Sequence, residues 1–365
     1  MNFLFLITNL NGGGAERALI SLARNLLKNQ HEINIVMLQD SIQIDPGVEM
    51  LPFIHRLGSK KVTKGFLGKL ILARQLNLLF RKLNAIQKID LVISRLHYAN
   101  HILKLAKIPK SFYCIDNTIS SELLNLKSSP LNFKYYRRYL RYKYLYGKSN
   151  LIAISQEIKL DLINTLNINE NNIQVIYNLI DFDEIGILAQ KNDQSIPNKS
   201  YVIHLGRFND QKIHDLLFEA WGKVKTQDKL VLLVEPSDRL SDLVKKYGIE
   251  SKVLIAGFKK NPYPWLKNAS LMVLSSDYEG LPLVVIEALF LKVPIVSTDS
   301  SFSLRALLKN YRNELVICGD SDLLARKITE QLNYKKIMHV NLNQFTAKQI
   351  VSKYSALAKS FSKTL

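Results

Sequence analysis

Short apolar runs alternate along the chain with longer segments in which apolar residues recur at helical spacing. Runs typical of buried parallel strands lie at residues 3–8, 33–37, 91–94, 112–115 and 151–154. Segments with helical periodicity lie between them, including residues 15–27, 66–86 and 157–166. Alternation of this kind predicts a parallel sheet with helices on both faces.

A polar segment with one proline, residues 190–200, interrupts this pattern and is interpreted as an interdomain linker. The alternation restarts with apolar runs at residues 201–205, 230–234, 253–255, 271–274, 294–297 and 315–317. We therefore expect an α/β fold of two Rossmann-like domains facing a central cleft. The expected domains are residues 1–190 and 201–344, joined by a linker at 191–200 and followed by a helical segment at 345–365. Ligands of such sheets bind beyond the carboxyl ends of the strands.

Composition is ordinary for a globular protein except in its charge. The 365 residues carry 50 Lys and Arg against 31 Asp and Glu, a net charge of +19, so anionic partners are expected: nucleic acid, lipid or phosphorylated substrates. No apolar run reaches the roughly 18 residues of a membrane span, and the N-terminus lacks the basic segment of a signal peptide. The two cysteines, Cys114 and Cys318, form no disulfide or metal pattern, which favours a reducing cytoplasm.

Three glycines follow the first predicted strand. Gly12, Gly13 and Gly14 lie in the segment NGGGAER, where the first helix is expected to begin. Glycine lets the backbone approach a ligand closely, and the free N–H groups of a helix N-terminus favour an anion such as phosphate. The GxGxxG pattern of dinucleotide-binding proteins is not formed, because Arg17 occupies the later glycine position. A plain strand-to-helix turn is the alternative interpretation.

Two cations follow the first strand of the second predicted domain. Arg207 and Lys212 lie in the segment HLGRFNDQK, just after Gly206. A planar guanidinium and an ammonium together suit a diphosphate, and the charge of a diphosphate leaving group must be stabilised as its bond breaks. The alternative is that both side chains are solvated cations in a basic chain.

Two carboxylates follow the apolar run that ends at residue 274. Glu279 falls in a polar loop, Pro282 suits the first turn of a helix, and Glu287 falls inside an apolar helical segment. Eight residues of helix rise roughly 12 Å, which is too far for the carboxylates to share a proton but suits two parts of one elongated ligand. A chance pair remains an alternative. A glycoside hydrolase also uses two carboxylates, but nothing in the sequence sets the separation that this chemistry needs.

Taken in order, NGGGAER, GRFNDQK and EGLPLVVIEAL resemble the retaining glycosyltransferases of family 4, which have the GT-B fold. The segment KNPYP and the residues at 154–155 and 175–178 are similar to the same family, so the resemblance covers nearly the whole chain. It implies a nucleotide sugar as co-substrate, bound mainly by the C-terminal domain, and an acceptor bound mainly by the N-terminal domain. It also implies that no metal or other cofactor is needed and that the terminal helix crosses back to the first domain.

The resemblance assigns roles to individual residues. Arg207 and Lys212 would hold the diphosphate, Glu279 would contact the donor sugar, and Glu287 would contact ribose. Arg207, Lys212 and Glu279 are therefore the expected catalytic residues. The expected donor-binding residues are Gly12, Gly13, Gly14, Gly206, Arg207, Lys212, Glu279, Gly280, Leu281 and Glu287.

The chain departs from the family pattern at three places. Asp116 and Asn117, expected on the acceptor side, stand where many relatives carry histidine or arginine. Ala306 ends a segment that lacks the glutamate of some relatives, and Ile213 replaces the glycine usual after the phosphate-binding lysine. These departures concern sugar recognition more than the type of reaction.

The mechanism expected from the residues is front-face transfer. A double displacement needs a carboxylate beside the anomeric carbon, and none can be placed there from the sequence. In front-face transfer the leaving diphosphate helps to deprotonate the acceptor hydroxyl, while Arg207 and Lys212 stabilise the developing charge.

Positive charge concentrates in two stretches, which mix cations with apolar or tyrosine residues. The cations are Lys60, Lys61, Lys64, Lys69, Arg74, Arg81 and Lys82 in the first stretch, and Lys134, Arg137, Arg138, Arg141 and Lys143 in the second. Basic amphipathic helices of this kind can lie on an anionic membrane. A solvated face over a core stripe is one alternative. A nucleic-acid surface is another, although no nucleic-acid-binding module is found.

These observations predict a cytoplasmic enzyme at the inner face of a bacterial plasma membrane, with no nucleic-acid partner. It would move a hexose or N-acetylhexosamine from a UDP- or GDP-sugar to a glycan acceptor, lipid-linked, in lipopolysaccharide or other surface polysaccharide biosynthesis. The alternative is a non-catalytic protein that binds nucleotides or nucleic acid.

Overall fold

The structure is a computed structural model that describes residues 1–11, 13–58, 65–124, 126 and 133–362. It divides into two compact units, Met1–Asp181 with Asn343–Leu365, and Phe182–Leu342. Each unit is built on a parallel sheet. The α/β class with two Rossmann-like halves, predicted from the alternating pattern, is confirmed.

The first unit, as far as it is described, has seven strands in one sheet. They are β1 Asn2–Ile7, β2 Glu32–Met37, β3 Ile54–Arg56, β4 Leu91–Arg95, β5 Ser111–Ile115, β6 Asn150–Ala153 and β7 Ile173–Val175. The strand order is β3-β2-β1-β4-β5-β6-β7, so the order reverses between the neighbours β1 and β4. Every residue of β1 and β4 is buried, as expected for parallel strands covered on both faces.

The helices of the first unit alternate with its strands. They are α1 Gly14–Lys28, α2 Phe66–Ile86, α3 His97–Ala106, α4 Ile119–Leu124, α5 Phe133–Tyr146 and α6 Gln156–Leu166. Side-chain caps help to fix some of their ends. At α6, for example, the hydroxyl of Ser155 accepts a hydrogen bond from the backbone N–H of Ile158.

The second unit repeats the same plan. Its strands are β8 Tyr201–Leu205, β9 Lys229–Leu233, β10 Val253–Ile255, β11 Leu271–Leu274, β12 Ile295–Thr298 and β13 Leu315–Val316. Its helices are α7 Phe182–Leu188, α8 His214–Lys223, α9 Asp238–Lys246, α10 Tyr263–Lys267, α11 Leu283–Phe290, α12 Phe302–Leu307 and α13 Ser321–Tyr334. The strand order is β10-β9-β8-β11-β12-β13. The order therefore reverses between β8 and β11, the position at which open α/β sheets bind ligands.

The last helix, α14 Ala347–Ser362, belongs to the first unit although it follows the second in the chain. The turn before it is fixed to that unit by a hydrogen bond from the Ile180 N–H to the Phe345 carbonyl, 2.9 Å long. The ring of Phe345 packs edge-on against Tyr177. Helix α14 itself packs against α1.

The boundary between the units lies earlier than the polar segment suggests. The chain passes from one unit to the other at Asp181–Phe182, and residues 191–200 lie inside the second unit. There the indole N–H of Trp265 donates to the carboxylate of Asp193 at 2.8 Å. The polar composition of 191–200 therefore reflects a surface segment and not the domain boundary. The helix α7 that precedes it packs within the second unit, where Phe182 contacts Phe290.

Over the described ranges, none of the helices combines the length and the apolar character needed to cross a bilayer.

Candidate active site

The loop after β8 carries the predicted cations to the point where the strand order reverses. The methylene groups of Lys212 pass over Gly206, where an added Cβ would lie 3.2 Å from Lys212 Cε and 3.4 Å from His204 Nε2. Glycine at position 206 therefore makes room for the lysine side chain. The side chain of Arg207 is exposed, and it forms no ion pair with any residue that the structure describes. The loop thus presents two cations: Lys212, whose side chain packs over Gly206, and Arg207, whose side chain is open to solvent.

The residue after Lys212 carries backbone strain. Ile213 adopts φ 36° and ψ 60°, a left-handed conformation that favours glycine. This is the position at which the resemblance expects glycine. Ile213, a β-branched residue, thus adopts the backbone conformation that glycine would adopt without strain. The conformational cost is of order 1–3 kcal/mol.

The loop after β11 is hydrogen-bonded to the loop after β8. The hydroxyl of Ser275 donates to the Lys212 carbonyl at 2.8 Å, and the N–H of Asp277 donates to the Gln211 carbonyl at 2.8 Å. The amide of Gln211 donates in turn to the Tyr278 carbonyl at 2.8 Å. Because β8 and β11 are adjacent in the sheet, these bonds fix both loops around one site.

Lys212 and Glu279 meet at the centre of these two loops. The ammonium Nζ of Lys212 lies 2.5 Å from Glu279 Oε1, and the two side chains are only 15% and 11% exposed. The hydroxyl of Ser276 donates to the same carboxylate oxygen at 2.8 Å. Glu279 is held further by its own N–H, which donates to the Ser300 carbonyl at 3.1 Å. Two residues predicted separately as ligand groups therefore form one largely buried ion pair.

The second predicted carboxylate lies on the helix that follows. Gly280 and Leu281 are buried, and α11 begins at Leu283, directly after Pro282. Glu287 lies just over one turn into the helix, half-buried, and the hydroxyl of Tyr263 donates to its Oε1 at 3.3 Å. The structure thus brings Glu287 next to Tyr263 of the KNPYP segment.

Two buried histidines lie beneath the loop after β8. His204 and His214 are in edge-to-face contact with ring centroids 4.9 Å apart. Burial lowers the pKa of His214 to about 4, and burial, with smaller contributions from His214 and Lys212, holds the pKa of His204 well below its ordinary value. Both rings are therefore neutral at pH 7, which leaves Lys212 and Arg207 as the cations of this loop. In the described part of the chain, no group of three or more His, Cys, Asp or Glu side chains is arranged to hold a metal ion.

The glycine-rich loop opens α1 in the first unit. Gly12 lies outside the described residues. Gly13 is the N-cap of α1 with φ −75° and ψ 168°, and Gly14 is the first helical residue. Gly13 has no side chain with which to cap this end of the helix. The N-terminus of α1, at the carboxyl end of β1, therefore keeps backbone N–H groups for another acceptor.

Asp116 has a partner that the sequence did not predict. Its carboxylate forms an ion pair with the guanidinium of Arg95, which is only 3% exposed at the end of β4. The same Nη2 donates to the side-chain oxygen of Asn178 at 2.7 Å. Asp116 thus holds a buried arginine, whereas the neighbouring Asn117 is half-buried. An acceptor-side role for the two residues stays a prediction.

A second polar group near β4 was also missed. His97 Nε2 lies 3.0 Å from the carboxylate of Glu122, and its Nδ1 lies 2.8 Å from the hydroxyl of Tyr146. The hydroxyl of Tyr142 donates to the same carboxylate at 2.5 Å. These contacts join α3, α4 and α5. Only the position of His97 just after a predicted strand could have signalled them.

Comparison with known families accounts for most of the chain. The family model "Glycosyltransferase Family 4" matches residues 12–184, and the model "Glycosyl transferases group 1" matches residues 188–349. The two models therefore correspond to the two halves of the sequence, and they include the motifs found there apart from Asn11 of NGGGAER.

Similar proteins carry related descriptions. The N-acetylgalactosamine-N,N'-diacetylbacillosaminyl-diphospho-undecaprenol 4-alpha-N-acetylgalactosaminyltransferase of Campylobacter jejuni is 29% identical over 87% of this chain and 86% of its own length. The GalNAc-alpha-(1->4)-GalNAc-alpha-(1->3)-diNAcBac-PP-undecaprenol alpha-1,4-N-acetyl-D-galactosaminyltransferase of the same organism is 27% identical, covering 91% and 89%.

A solved structure has the same fold. HepE from Anabaena, in complex with UDP and glucose, superposes with a TM-score of 0.71 over 100% of this chain and 99% of its own, at 20% identity. The family matches, the fold and the order of the motifs agree with one another. The chain is a glycosyltransferase of the GT-B, family 4 type.

Proposed function

We propose that the chain transfers an N-acetylhexosamine or hexose from a UDP- or GDP-sugar to a glycan carried on a polyprenyl diphosphate. The observation that carries the donor half is the meeting of Lys212 and Glu279 between two hydrogen-bonded loops, where the strand order reverses. A diphosphate suits the cation and sugar hydroxyls suit the carboxylate. Arg207 adds a second cation, and Glu287 would bind ribose.

The acceptor half of the proposal is supported by the relatives. Both Campylobacter enzymes are described as acting on an undecaprenol-linked diphosphate glycan, and they resemble this chain over most of its length. We assign acceptor binding to the first unit. A role in the biosynthesis of lipopolysaccharide or another surface glycan follows from this acceptor class.

Retention of configuration and independence from metal are also proposed. Glu279 is held by Lys212 and Ser276, which makes it a poor free nucleophile. Front-face transfer needs no such nucleophile, because the leaving diphosphate accepts the proton of the acceptor hydroxyl. The cations of the β8 loop would then supply the charge stabilisation.

A panel of nucleotide sugars tests the proposed function. We expect one class of UDP-, GDP- or ADP-sugar to raise the unfolding temperature, and a UDP-sugar to give the largest rise. The best binder should then be consumed only when a glycan on a prenyl diphosphate is added. Consumption should be the same with and without EDTA, because the reaction is proposed to need no metal. Binding without transfer to any such acceptor would favour a non-catalytic nucleotide-binding protein. Release of free sugar from a glycoside would favour a hydrolase.

An anionic membrane is proposed as the surface on which the enzyme works, at the cytoplasmic face. Helix α2 buries Leu72, Ala73 and Leu76 as an ordinary core stripe. Apolar residues outside that stripe are exposed, with Phe66, Leu67 and Ile71 at 63%, 76% and 60%. On α5, Leu140 is 64% exposed among exposed cations. Exposed apolar side chains beside Lys and Arg suit the interface of an anionic bilayer. Lys60, Lys61 and Lys64, predicted in the same stretch, lie outside the described residues.

Cations crowd together where these helices approach α3. The Nζ of Lys69 lies 3.4 Å from Nδ1 of His101. Burial and the charge of Arg141 lower the pKa of Lys69, and burial with the charges of Lys69 and Arg141 lowers the pKa of His101. Among the residues that the structure describes, no carboxylate forms an ion pair with Lys69 or Arg141. Such a cluster favours an anionic partner at this face.

Vesicle sedimentation tests the membrane proposal. We expect the protein to sediment with vesicles containing phosphatidylglycerol, and to be released as salt is raised, because exposed charges are screened. The double substitution Leu67→Ser with Ile71→Ser should weaken binding at every salt concentration, whereas Lys225→Glu in the second unit should not. Equal sedimentation with neutral phosphatidylcholine, or none with either, would refute the proposal.

A further inference from the structure

The two groups proposed to bind the donor are bound to each other in this structure. Lys212 Nζ and Glu279 Oε1 are 2.5 Å apart, and both side chains are more than four-fifths buried. Glu279 has one other side-chain partner among the described residues, the hydroxyl of Ser276 at 2.8 Å. A diphosphate that approaches Lys212 must therefore compete with a carboxylate already in contact with it.

The ion pair is built into the site. The backbone on each side of it is fixed, since Ser275 donates to the Lys212 carbonyl and the N–H of Glu279 donates to the Ser300 carbonyl. The lysine side chain is also confined where it crosses Gly206. These bonds fix the backbone of both loops, so the carboxylate and the ammonium extend from adjacent, fixed positions.

We propose that this ion pair makes the affinity for the diphosphate depend on the presence of the sugar. The inference rests on the proposed function, in which Lys212 binds the diphosphate and Glu279 the sugar. A complete nucleotide sugar brings negative oxygens for Lys212 and hydroxyl donors for Glu279, so both charges keep partners. A nucleoside diphosphate brings the negative oxygens but no sugar hydroxyls. It therefore leaves the Glu279 carboxylate beside a diphosphate, with Ser276 as the remaining hydrogen-bond donor to that carboxylate.

The coupling has a consequence for the catalytic cycle. The nucleoside diphosphate is the product left in the second unit once the sugar has moved to the acceptor. Loss of the sugar removes the donors that satisfy Glu279, and the carboxylate again competes for Lys212. The site therefore discriminates in favour of the donor and against its own product, which limits product inhibition.

Calorimetric titration of UDP, GDP and the corresponding sugar nucleotides into wild type and Glu279→Gln tests the coupling. The amide keeps the size of the side chain and removes its charge. We expect the nucleoside diphosphate that binds wild type to bind Glu279→Gln about tenfold more tightly, a change of about 1.4 kcal/mol. The matching sugar nucleotide should gain nothing, so the ratio of the two affinities should fall about tenfold.

Two matched variants separate the ion pair from a general effect of charge. Glu287→Gln makes the same chemical change on the following helix, where the carboxylate contacts Tyr263, and should not tighten nucleoside diphosphate binding. Ser276→Ala removes the other donor of Glu279 and keeps the ion pair, so it should not tighten binding either. Circular dichroism confirms that each variant is folded.

The outcomes distinguish this inference from the proposed function. An unchanged or lower affinity of Glu279→Gln for the diphosphate overturns the coupling, and the donor site stands if Lys212→Ala still weakens nucleotide binding. Equal tightening by Glu287→Gln also overturns it. Absence of binding of every nucleotide and sugar nucleotide to the wild-type protein sinks the proposed function itself.

Discussion

Lys212→Ala is expected to lower kcat by about 10²–10³-fold, the range measured when one group that stabilises developing charge is removed. In the proposed mechanism, negative charge grows on the diphosphate as the bond to the sugar breaks. Lys212 is the cation of the β8 loop that is largely buried, with a side chain 15% exposed. Its interaction with that charge is therefore weakly screened, whereas the exposed Arg207 can replace only part of it.

Single-turnover measurement with the best donor of the nucleotide-sugar panel checks this prediction. Lys225→Ala removes an exposed lysine elsewhere in the second unit and should leave kcat unchanged. Lys212→Arg keeps the charge but changes its geometry, so an intermediate loss is expected. A folded Lys212→Ala variant with nearly normal kcat would remove Lys212 from the mechanism.

The sequence predicted which residues form the candidate donor site, but not how they meet. Motif and strand position singled out Lys212, Glu279 and Glu287 separately. Lys212 and Glu279 are 67 residues apart, and their contact depends on β8 and β11 being adjacent in the sheet. Strand order is a tertiary property that apolar periodicity does not contain. Ser276, which helps to hold the carboxylate, reads in sequence as one of several loop serines.

The same limit explains what was missed in the fold. Long buried strands such as β1 show as continuous apolar runs because helices cover both of their faces. β3 and β7 have only three residues each, with one exposed in each strand, so neither leaves a run that can be recognised. They are the strands at the two edges of the first sheet. The linker predicted at 191–200 lies after the boundary at Asp181–Phe182. A polar segment indicates that residues are exposed, and it does not indicate where one hydrophobic core ends.

Arg95 shows how a single buried contact escapes prediction. Its sequence neighbours in β4 form an apolar run, and a charged residue at the end of such a run reads as the place where the strand reaches solvent. The structure buries it instead, because Asp116 at the end of the adjacent strand β5 and Asn178 supply partners. Burial opposes its charge, but the neighbouring Asp116 carboxylate raises the pKa of Arg95 above its ordinary value. Arg95 therefore stays protonated across the accessible pH range.

Asp116→Ala should consequently destabilise the first unit by about 3–5 kcal/mol, the cost of leaving a buried charge without its partner. Chemical unfolding, monitored by hydrogen exchange of the amides in β4 and β5, measures the loss in free energy of unfolding of this unit. Asp116→Asn keeps an acceptor for Arg95 and should cost less. Arg95→Met with Asp116→Leu removes both charges and should be milder than Asp116→Ala alone, because no charge is left unpaired.

The stability and the acceptor role predicted for Asp116 can be separated with the same variants. Nucleotide affinity should stay at the wild-type value in Asp116→Asn, because Lys212, Glu279 and Glu287 lie in the second unit. If Asp116 touches the acceptor, Asp116→Asn raises KM for the acceptor although the protein remains stable. If Asp116 only holds Arg95, Asp116→Asn leaves KM for the acceptor unchanged, while Asp116→Ala unfolds at a lower denaturant concentration than wild type. A stable Asp116→Ala variant would contradict the buried ion pair, since no other described side chain supplies Arg95 with a negative charge.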